Sequence, residues 1–419
     1  MMSRSGIWKS IGPGLIWAAA AIGVSHLVQS TRAGALFGFG LVWAVIAANL
    51  LKYPFFEFGP RYAAATGESL LEGYQRLGKW PIIVYTVVSV GTTFTILAAV
   101  TLVTASIATQ LFSPALTPLL YTVLVLLFCV VVLSFGRYPA LDTLVKLIIV
   151  LLTISSIAAV IIAVVKPHAN PIRVETINPT VLSISGISFL VALIGWMPSA
   201  IDISVWHSLW TLERAKQTQH KPSIREALLD FNIGYVGTAV IALLFLSLGA
   251  LVMHGSGETF SSSGAKFAAQ LIGLYTQTLG EWSRPVILVA AFTTMFSTTL
   301  TCTDAFPRVL SRLTPLLLPK QFEKTSSQRL YWIWMLIVIA GALLLLTVLK
   351  RGLTFMVDFA TTLSFLTAPV LGYLNLRVVT SNHMPAEARP GKALRVLSWA
   401  GIVFGTGLGI AYLLWRFIA

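Results

Sequence analysis

The sequence predicts an all-α integral membrane protein, and three observations carry this prediction. Hydrophobic residues make up 56% of the 419 residues and charged residues only 11%, whereas a soluble domain carries about 25% charged residues. The apolar residues form long runs, and the runs lack the strict alternation of membrane β-strands. The composition therefore excludes a soluble enzyme, a disordered protein and a nucleic-acid-binding protein.

Eleven apolar runs are long enough to be transmembrane helices, since a helix needs roughly 20 residues to cross the hydrocarbon layer. They lie near 12–30, 35–57, 82–110, 117–134, 141–165, 182–209, 228–253, 284–306, 330–349, 354–376 and 395–417.

The formal net charge of +14 comes from 29 Lys and Arg against 15 Asp and Glu. The basic residues fall mainly in short segments between the runs, as in the stretch that contains Arg214, Lys216 and Lys221. Because cytoplasmic loops are enriched in Lys and Arg, this bias predicts a cytoplasmic amino terminus and an external carboxyl terminus.

The cysteine pattern indicates no disulfide framework, and no Cys/His spacing typical of a metal site is present. Cys129 and Cys302 both lie inside apolar runs, where free thiols are usually inert and buried. No nucleophile–base spacing and no cofactor motif is present, so neither an enzyme nor a cofactor is expected. A receptor without transport activity is the further alternative, although no soluble domain accompanies the runs.

Two runs carry signs of a helix that is interrupted inside the membrane. Run 1 contains Ala21-Ile22-Gly23-Val24-Ser25-His26, and run 6 contains Gly195-Trp196-Met197-Pro198-Ser199-Ala200-Ile201-Asp202. Glycine lowers the cost of leaving helical geometry, and proline removes a backbone donor. Secondary transporters bind substrate where two such helices meet. The predicted substrate-binding residues are Gly23, Ser25, His26, Met197, Ser199, Ala200 and Asp202. A proline kink beside a polar packing patch is the alternative.

Several stretches resemble the Nramp family of proton-coupled divalent metal transporters. They are Gly12-Pro13-Gly14, residues 32–39, Arg61 with residues 65–68, His207-Ser208 and the threonine-rich run 8. The resemblance implies a leucine-transporter-like fold of the APC superfamily with inverted repeats of helices 1–5 and 6–10. The repeats would cover about 12–165 and 182–376, with an extra helix at 395–417. It also implies a bacterial inner membrane.

The chain departs from the family in the residues that bind metal. The family carries Asp-Pro-Gly-Asn in helix 1, where this chain has Gly23-Val24-Ser25-His26. It carries Met-Pro-His-Asn in helix 6, where an ungapped match gives Ala200-Ile201-Asp202-Ile203 and a shifted register gives Met197-Pro198. The family's proton route uses acidic groups in helix 3 and an arginine in helix 9. Residues 82–112 and 330–349 contain no acidic or basic side chain.

Two substrate classes follow from these replacements. The first is a small organic solute, a carboxylate or amino-acid-like molecule, moved by alternating access and coupled to protons. The alternative is a divalent metal of the manganese, iron or zinc type, held by a rebuilt site of His26, Asp202 and His207. His207 is a candidate proton carrier because histidine titrates near neutral pH; a structural histidine is the other interpretation.

Further ionisable residues inside the runs are gating candidates. An ionisable side chain inside a membrane usually has a function, and the alternative is that it forms a structural ion pair. Asp304 and Arg308 are four residues apart and can pair. Lys52 and Glu57 flank Pro54, which can bend them together. Asp358 follows Arg351 by two helical turns. The two residues could form a gate or an ion pair at the rim, and the sequence does not distinguish these interpretations.

Overall fold

The computed structural model describes residues 9–113, 115–135, 138–165, 181, 183–322 and 325–418, with side chains described except at 138–149, 320 and 417. Within these ranges every regular element is helical. The first half contains α1 (Pro13–Ala21), a π-helical segment (Ser25–Ser30), α2 (Thr31–Phe37), α3 (Val42–Thr66), α4 (Leu70–Arg76), α5 (Lys79–Leu111), α6 (Pro118–Ser134) and α7 (Tyr138–Val165).

The second half contains α8 (Ile184–Gly195), α9 (Ile203–Thr218), α10 (Ile224–Val252), α11 (Gly264–Leu279), α12 (Arg284–Leu317), α13 (Pro319–Phe322), α14 (Ser327–Leu349), α15 (Leu353–Val379) and α16 (Lys392–Ile418). Short 3₁₀ turns occupy Glu281–Ser283 and Ala386–Ala388.

Six helical stretches of the described chain are long and apolar enough to cross a membrane: Lys79–Leu111, Ile224–Val252, Glu281–Leu317, Ser327–Leu349, Leu353–Val379 and Lys392–Arg416. Shorter apolar helices cover Pro118–Ser134, Val150–Val165 and Ile184–Gly195. The all-helical membrane class is thus confirmed, while the count of eleven spans stays a prediction.

The first predicted interruption is present. Helix α1 ends at Ala21, and the chain passes through Gly23 into the π-helical segment. Gly23 is needed here because a Cβ atom would lie 2.8 Å from Thr298 Oγ1 on helix α12. The absence of a side chain at Gly23 therefore lets run 1 lie closer to α12 than any other residue would allow.

The second predicted interruption is also present, between the end of α8 at Gly195 and the start of α9 at Ile203. Pro198 lies in the middle of the gap and has no N–H to donate to a helical ladder. The last carbonyls of α8 lack partners within that helix, whereas the first N–H groups of α9 donate to carbonyl oxygens in the gap, those of Ala200, Ile201 and Asp202.

Packing brings the two broken helices into the centre of the bundle. Helix α10 packs on α1 and α2, α12 packs on α5 and α1, and α15 packs on α8. Helices α14 and α16 lie at the periphery, because only 22% and 17% of the residues in their apolar stretches are buried. The breaks are thus surrounded by protein, as unwound backbone at membrane depth requires.

Candidate functional site

A small cavity lies where the broken helices meet α5 and α12. Its polar lining comes from Ser25, Ser199, Asp202, Thr298 and Cys302. It leaves about 30 Å³ for the centres of water-sized molecules, and one water needs roughly 10–15 Å³ of such space. In this conformation the cavity accommodates about two waters, so a larger solute requires it to open.

The rest of the cavity wall is apolar. Ile96 and Val100 on α5 face small side chains of α1 such as Ala20, and Trp196 and Trp206 contribute from the second broken helix. The Trp196 Nε1 atom donates to Ser364 Oγ at 2.8 Å. The Trp206 Nε1 atom is buried and has no hydrogen-bond partner in the described part of the chain.

Asp202 is the acidic group of this cavity. It is only 2% exposed, and its Oδ1 atom has no hydrogen-bond partner among the described residues. It occupies the N-cap position of α9, yet its side chain does not cap the helix. Trp206 follows four residues later and lines the same cavity. One free acceptor and one free donor therefore lie on one helical face.

Ser25 links the two breaks. Its Oγ atom lies 2.9 Å from the Ala21 carbonyl oxygen, 3.1 Å from the Pro198 carbonyl oxygen and 2.7 Å from His26 Nδ1. A hydroxyl has only one proton to donate. Ser25 thus satisfies one of these acceptors at a time, and it ties run 1 to run 6 directly.

His26 does not line the cavity, although the sequence predicts that it binds substrate. The side chain is 0% exposed. Its Nε2 atom lies 3.0 Å from the Thr238 carbonyl oxygen on α10. Because a carbonyl only accepts, this ring nitrogen carries a proton and donates. The contacts of His26 are those of a histidine that fastens the break to α10.

Three further predicted residues lie outside the cavity lining. Gly23 supports the break from behind through its approach to Thr298. Met197 is fully buried among apolar side chains. His207 is 0% exposed, its ring lies 5.7 Å from that of Phe231, and neither ring nitrogen has a hydrogen-bond partner within the described ranges.

The residues of the alternative metal set are not brought together. No cluster of three or more His, Cys, Asp or Glu side chains suited to a metal ion occurs in the part of the chain that the structure describes. Of the set, only Asp202 lines the cavity, since His26 and His207 lie outside it. Ser199 and Ala200, in contrast, line the cavity as the sequence predicts.

Lys52 and Glu57 do not pair with each other. The Lys52 Nζ atom donates to carbonyl oxygens at the end of α8, the nearest being those of Ile194 and Gly195 at 2.8 Å. Glu57 instead accepts from Arg61 Nε at 2.9 Å, four residues along α3. The pairing through a bend at Pro54 is therefore wrong.

A charged network joins run 1 to helix α15. Arg32 donates to both carboxylate oxygens of Asp358, at 2.7 and 3.0 Å. Gln29 donates to Asp358 and to Thr361. The Asp358 side chain is 37% exposed, so the network lies between the buried Ser25 and the surface. Asp358 pairs across the fold with Arg32, and the rim pair with Arg351 does not form.

The predicted pair of Asp304 and Arg308 on α12 forms, as the spacing of four residues predicts. Arg308 donates to both oxygens of Asp304, at 2.7 and 3.1 Å. Tyr331 donates its hydroxyl to Asp304 at 2.7 Å. The ion pair lies within α12, and the Tyr331 hydrogen bond joins it to α14.

Sequence reasoning missed part of the lining. The sequence predicts an inert, buried thiol at Cys302, yet this residue lies four residues after Thr298 on the same face of α12 and lines the cavity. The i, i+4 spacing from the threonine-rich stretch was a signal that could have found it. Ile96 and Val100 carry no such signal, since apolar residues on a membrane helix are common.

Comparison with known proteins gives consistent relatives. The family model described as natural resistance-associated macrophage protein-like (Nramp) matches residues 14–415. An uncharacterized protein of Pasteurella multocida strain Pm70 is 37% identical over 412 residues, which are 97% of this chain and 92% of the relative.

Solved transporters show the same fold. A manganese transporter of Eremococcus coleocola gives a TM-score of 0.72 at 16% identity, with 98% of this chain and 88% of that chain covered. Mhp1, a nucleobase-cation-symport-1 family transporter, gives 0.59 at 15% identity and covers 99% and 95%. MhsT in complex with L-phenylalanine gives 0.58 at 14% identity and covers 98% of each chain.

Proposed function

The chain belongs to the Nramp family, and from this premise we propose that it is a secondary transporter that moves a small amino-acid-like solute by alternating access. The solute binds at the Asp202 cavity and carries a cationic group. The bilayer is that of the bacterial inner membrane, with the amino terminus inside and the carboxyl terminus outside. The inverted repeats cover about 12–165 and 182–376.

One observation carries the choice of solute: the unpartnered, buried Oδ1 atom of Asp202. A buried carboxylate without a partner is costly, and a cation bound beside it removes that cost. A simple carboxylate solute would instead place a second negative charge against Asp202. Among the organic solutes, this favours one with an ammonium group.

The start of α9 supports the second half of an amino-acid-like solute. Its first N–H groups, those of Ile203, Ser204 and Val205, donate to the carbonyl oxygens of Ala200, Ile201 and Asp202, and the Asp202 side chain does not cap the helix. The start of a helix nevertheless carries the positive end of the helix dipole, which favours an anion nearby. A carboxylate at this helix start and an ammonium at Asp202 would together match the two charges of a zwitterion.

The cavity in its present size supports an occluded state. It accommodates about two waters, so the solute enters only when the Arg32–Asp358 network or the opposite end of the site opens. Alternating access requires such a closed state between the two open ones. The charged network that joins run 1 to α15 supports this step.

His207 is our candidate for the coupling proton. Its two ring nitrogens lack partners in the described chain, and its side chain is fully buried. It lies on α9, five residues after Asp202. Replacement of His207 by Gln should remove acceleration of uptake by an imposed pH gradient while substrate binding persists.

A second candidate is a transition-metal ion. Asp202 and Cys302 line one cavity, and carboxylate and thiolate are both metal ligands. The Eremococcus coleocola neighbour is described as a manganese transporter. The ligand set here would be incomplete without water or backbone oxygens, and for this reason we rank the metal second.

Thermal stabilisation of the purified protein tests both candidates. The probes are glycine, alanine, ethylammonium, acetate and manganese(II), each with wild type and with Asp202→Asn. Glu258→Gln serves as the matched control, because it removes an exposed acid outside the cavity. Stabilisation by amino acids that is lost only in Asp202→Asn supports the proposal. Stabilisation by manganese alone supports the second candidate, and stabilisation by acetate alone contradicts both.

The best stabiliser is then tested for uptake into proteoliposomes with and without a pH gradient. Saturable uptake that fails in Asp202→Asn but persists in Glu258→Gln is the expected result. Equal uptake by wild type and Asp202→Asn would show that the solute does not depend on this carboxylate.

A further inference from the structure

Lys52 places its ammonium group at the open end of helix α8. The Nζ atom donates to the carbonyl oxygens of Ile194 and Gly195 at 2.8 Å, of Met197 at 3.2 Å and of Ser199 at 3.3 Å. The side chain is 6% exposed. None of the ion pairs formed by the described residues includes Lys52. Four carbonyl oxygens therefore surround one buried cation.

The chemistry of these oxygens is that of a cation site. The last carbonyls of a helix have no intrahelical partner, and they carry the negative end of the helix dipole. Converging carbonyl oxygens replace the hydration shell of a monovalent cation. The distances of 2.8 to 3.3 Å suit an ammonium donor, whose compact charge and three rotatable protons fit such a cluster.

We propose that the carbonyls of Ile194, Gly195, Met197 and Ser199 form a monovalent-cation site that the chain fills with its own Lys52 ammonium. The break in run 6 is thus held by a tethered cation, and it needs no inorganic monovalent cation from the medium. Lys52 is a positioning residue in this view, since it contacts the backbone of the break and does not line the cavity.

The site lies directly behind the cavity wall. Ser199 contributes its carbonyl to the ammonium and also lines the cavity. Asp202 follows three residues later and lines it too. Loss of the ammonium would leave four carbonyls to repel one another, and the shift of Ser199 would move the wall that leads to Asp202.

Chemical rescue of Lys52→Ala tests the proposal. This change removes four heavy atoms, three carbons and the nitrogen, and n-propylammonium contains the same four. We expect the melting temperature of Lys52→Ala to fall by several degrees and to recover by at least half with millimolar n-propylammonium chloride. Ammonium chloride should restore less, because the space of the stem stays empty. Choline and tetramethylammonium should restore nothing.

Lys266→Ala is the matched control, because it removes an exposed lysine of helix α11. Its melting temperature should equal that of wild type and should not respond to n-propylammonium. A Lys52→Ala protein as stable as wild type would overturn the proposal. So would an equal response of Lys52→Ala to choline and n-propylammonium, since that would indicate a general salt effect.

Two further arms keep the test decisive if Lys52→Ala does not fold. Wild type should show the same melting temperature in the chlorides of sodium, potassium, ammonium and choline at equal ionic strength. A rise specific to sodium or potassium would show that the medium supplies a cation and would overturn the claim of independence. Lys52→Met keeps most of the stem without the charge, and wild-type stability of this variant would overturn the role of the ammonium. None of these arms uses a transported solute, so their outcome is separate from that of the proposed function.

Discussion

Replacement of Gly195 by alanine should destabilise the protein because helix α15 leaves no room for a methyl group. A Cβ atom at this position would lie 2.0 Å from the Thr361 carbonyl oxygen and 3.3 Å from Phe365 Cβ. The first distance falls more than 1 Å short of the 3.4 Å at which ordinary contacts begin. The obstacle is backbone, so rotation of a side chain cannot relieve it.

The magnitude follows from two opposing terms. Overpacking a tight site costs about 1–3 kcal/mol, and a clash between two helix backbones belongs at the upper end. The alanine gains about 0.5–1 kcal/mol over glycine in a helix. We therefore expect the free energy of unfolding to fall by about 2 kcal/mol. Movement of the Gly195 carbonyl away from Lys52 Nζ adds to this loss.

The assay is unfolding in mixed detergent micelles, followed by tryptophan fluorescence. Gly237→Ala is the matched control, because a Cβ atom there meets nothing within 4 Å. It should gain about 0.5–1 kcal/mol, so the two variants should differ by about 3 kcal/mol. Equal free energies of unfolding for the two variants would refute the close approach of α8 and α15.

Three other perturbations have defined outcomes. Asp358→Asn removes an ion pair worth about 1 kcal/mol, and a loss of this size raises the population of the open state about five-fold. Cys302 should therefore react about five-fold faster with a water-soluble maleimide. An unchanged rate would show that the pair does not hold the closed state. Arg76 donates hydrogen bonds that hold the pKa of Glu68 below its usual value. The stability that this pairing contributes is complete above the ordinary pKa of glutamate and is lost as the pH falls through the lowered pKa. The melting temperatures of wild type and Arg76→Ala should therefore converge as the pH falls. A difference in melting temperature that does not change with pH would contradict the pairing. Asp230→Ala removes the acceptor of two backbone N–H groups at the start of α1 and should lower the free energy of unfolding by about 1–2 kcal/mol. Asp230→Asn keeps one acceptor oxygen and should lower it less. Equal losses in the two variants would show that the cap is not the cause.

The two helix breaks were predictable because their causes are local. Gly23, Gly195 and Pro198 stand in the sequence, and the structure interrupts helices at each. The break in run 6 also explains why Ser199 and Asp202 could be placed in the cavity. Both lie in the short stretch that must leave helical geometry.

The orientation of single side chains was not predictable from the sequence. Ser25 faces the cavity, while the adjacent His26 faces Thr238 on α10. Successive residues of a helical segment point about 100° apart. A sequence that predicts where the break occurs therefore leaves open which neighbour faces inward.

Partners distant in the sequence were equally out of reach. Lys52 contacts carbonyls more than 140 residues away, and Asp358 pairs with Arg32 at the other end of the chain. Spacing rules find only pairs within one helix, such as Asp304 with Arg308 and Glu57 with Arg61. The charges that join different helices appear only when the helices are packed.

The peripheral position of α14 and α16 has a consequence for how the sequence can vary. Few of their side chains are buried by other helices, so in a lipid bilayer the surrounding hydrocarbon should constrain substitutions there more than neighbouring residues do. Exchanges among Leu, Ile, Val and Phe should accumulate freely over most of these helices, while a charged side chain at mid-membrane is excluded. Between the broken helices the opposite constraint holds, because Gly23 and Gly195 tolerate no added atom. Comparison of distant relatives should thus show a fast-changing rim of constant hydropathy around a slowly changing centre.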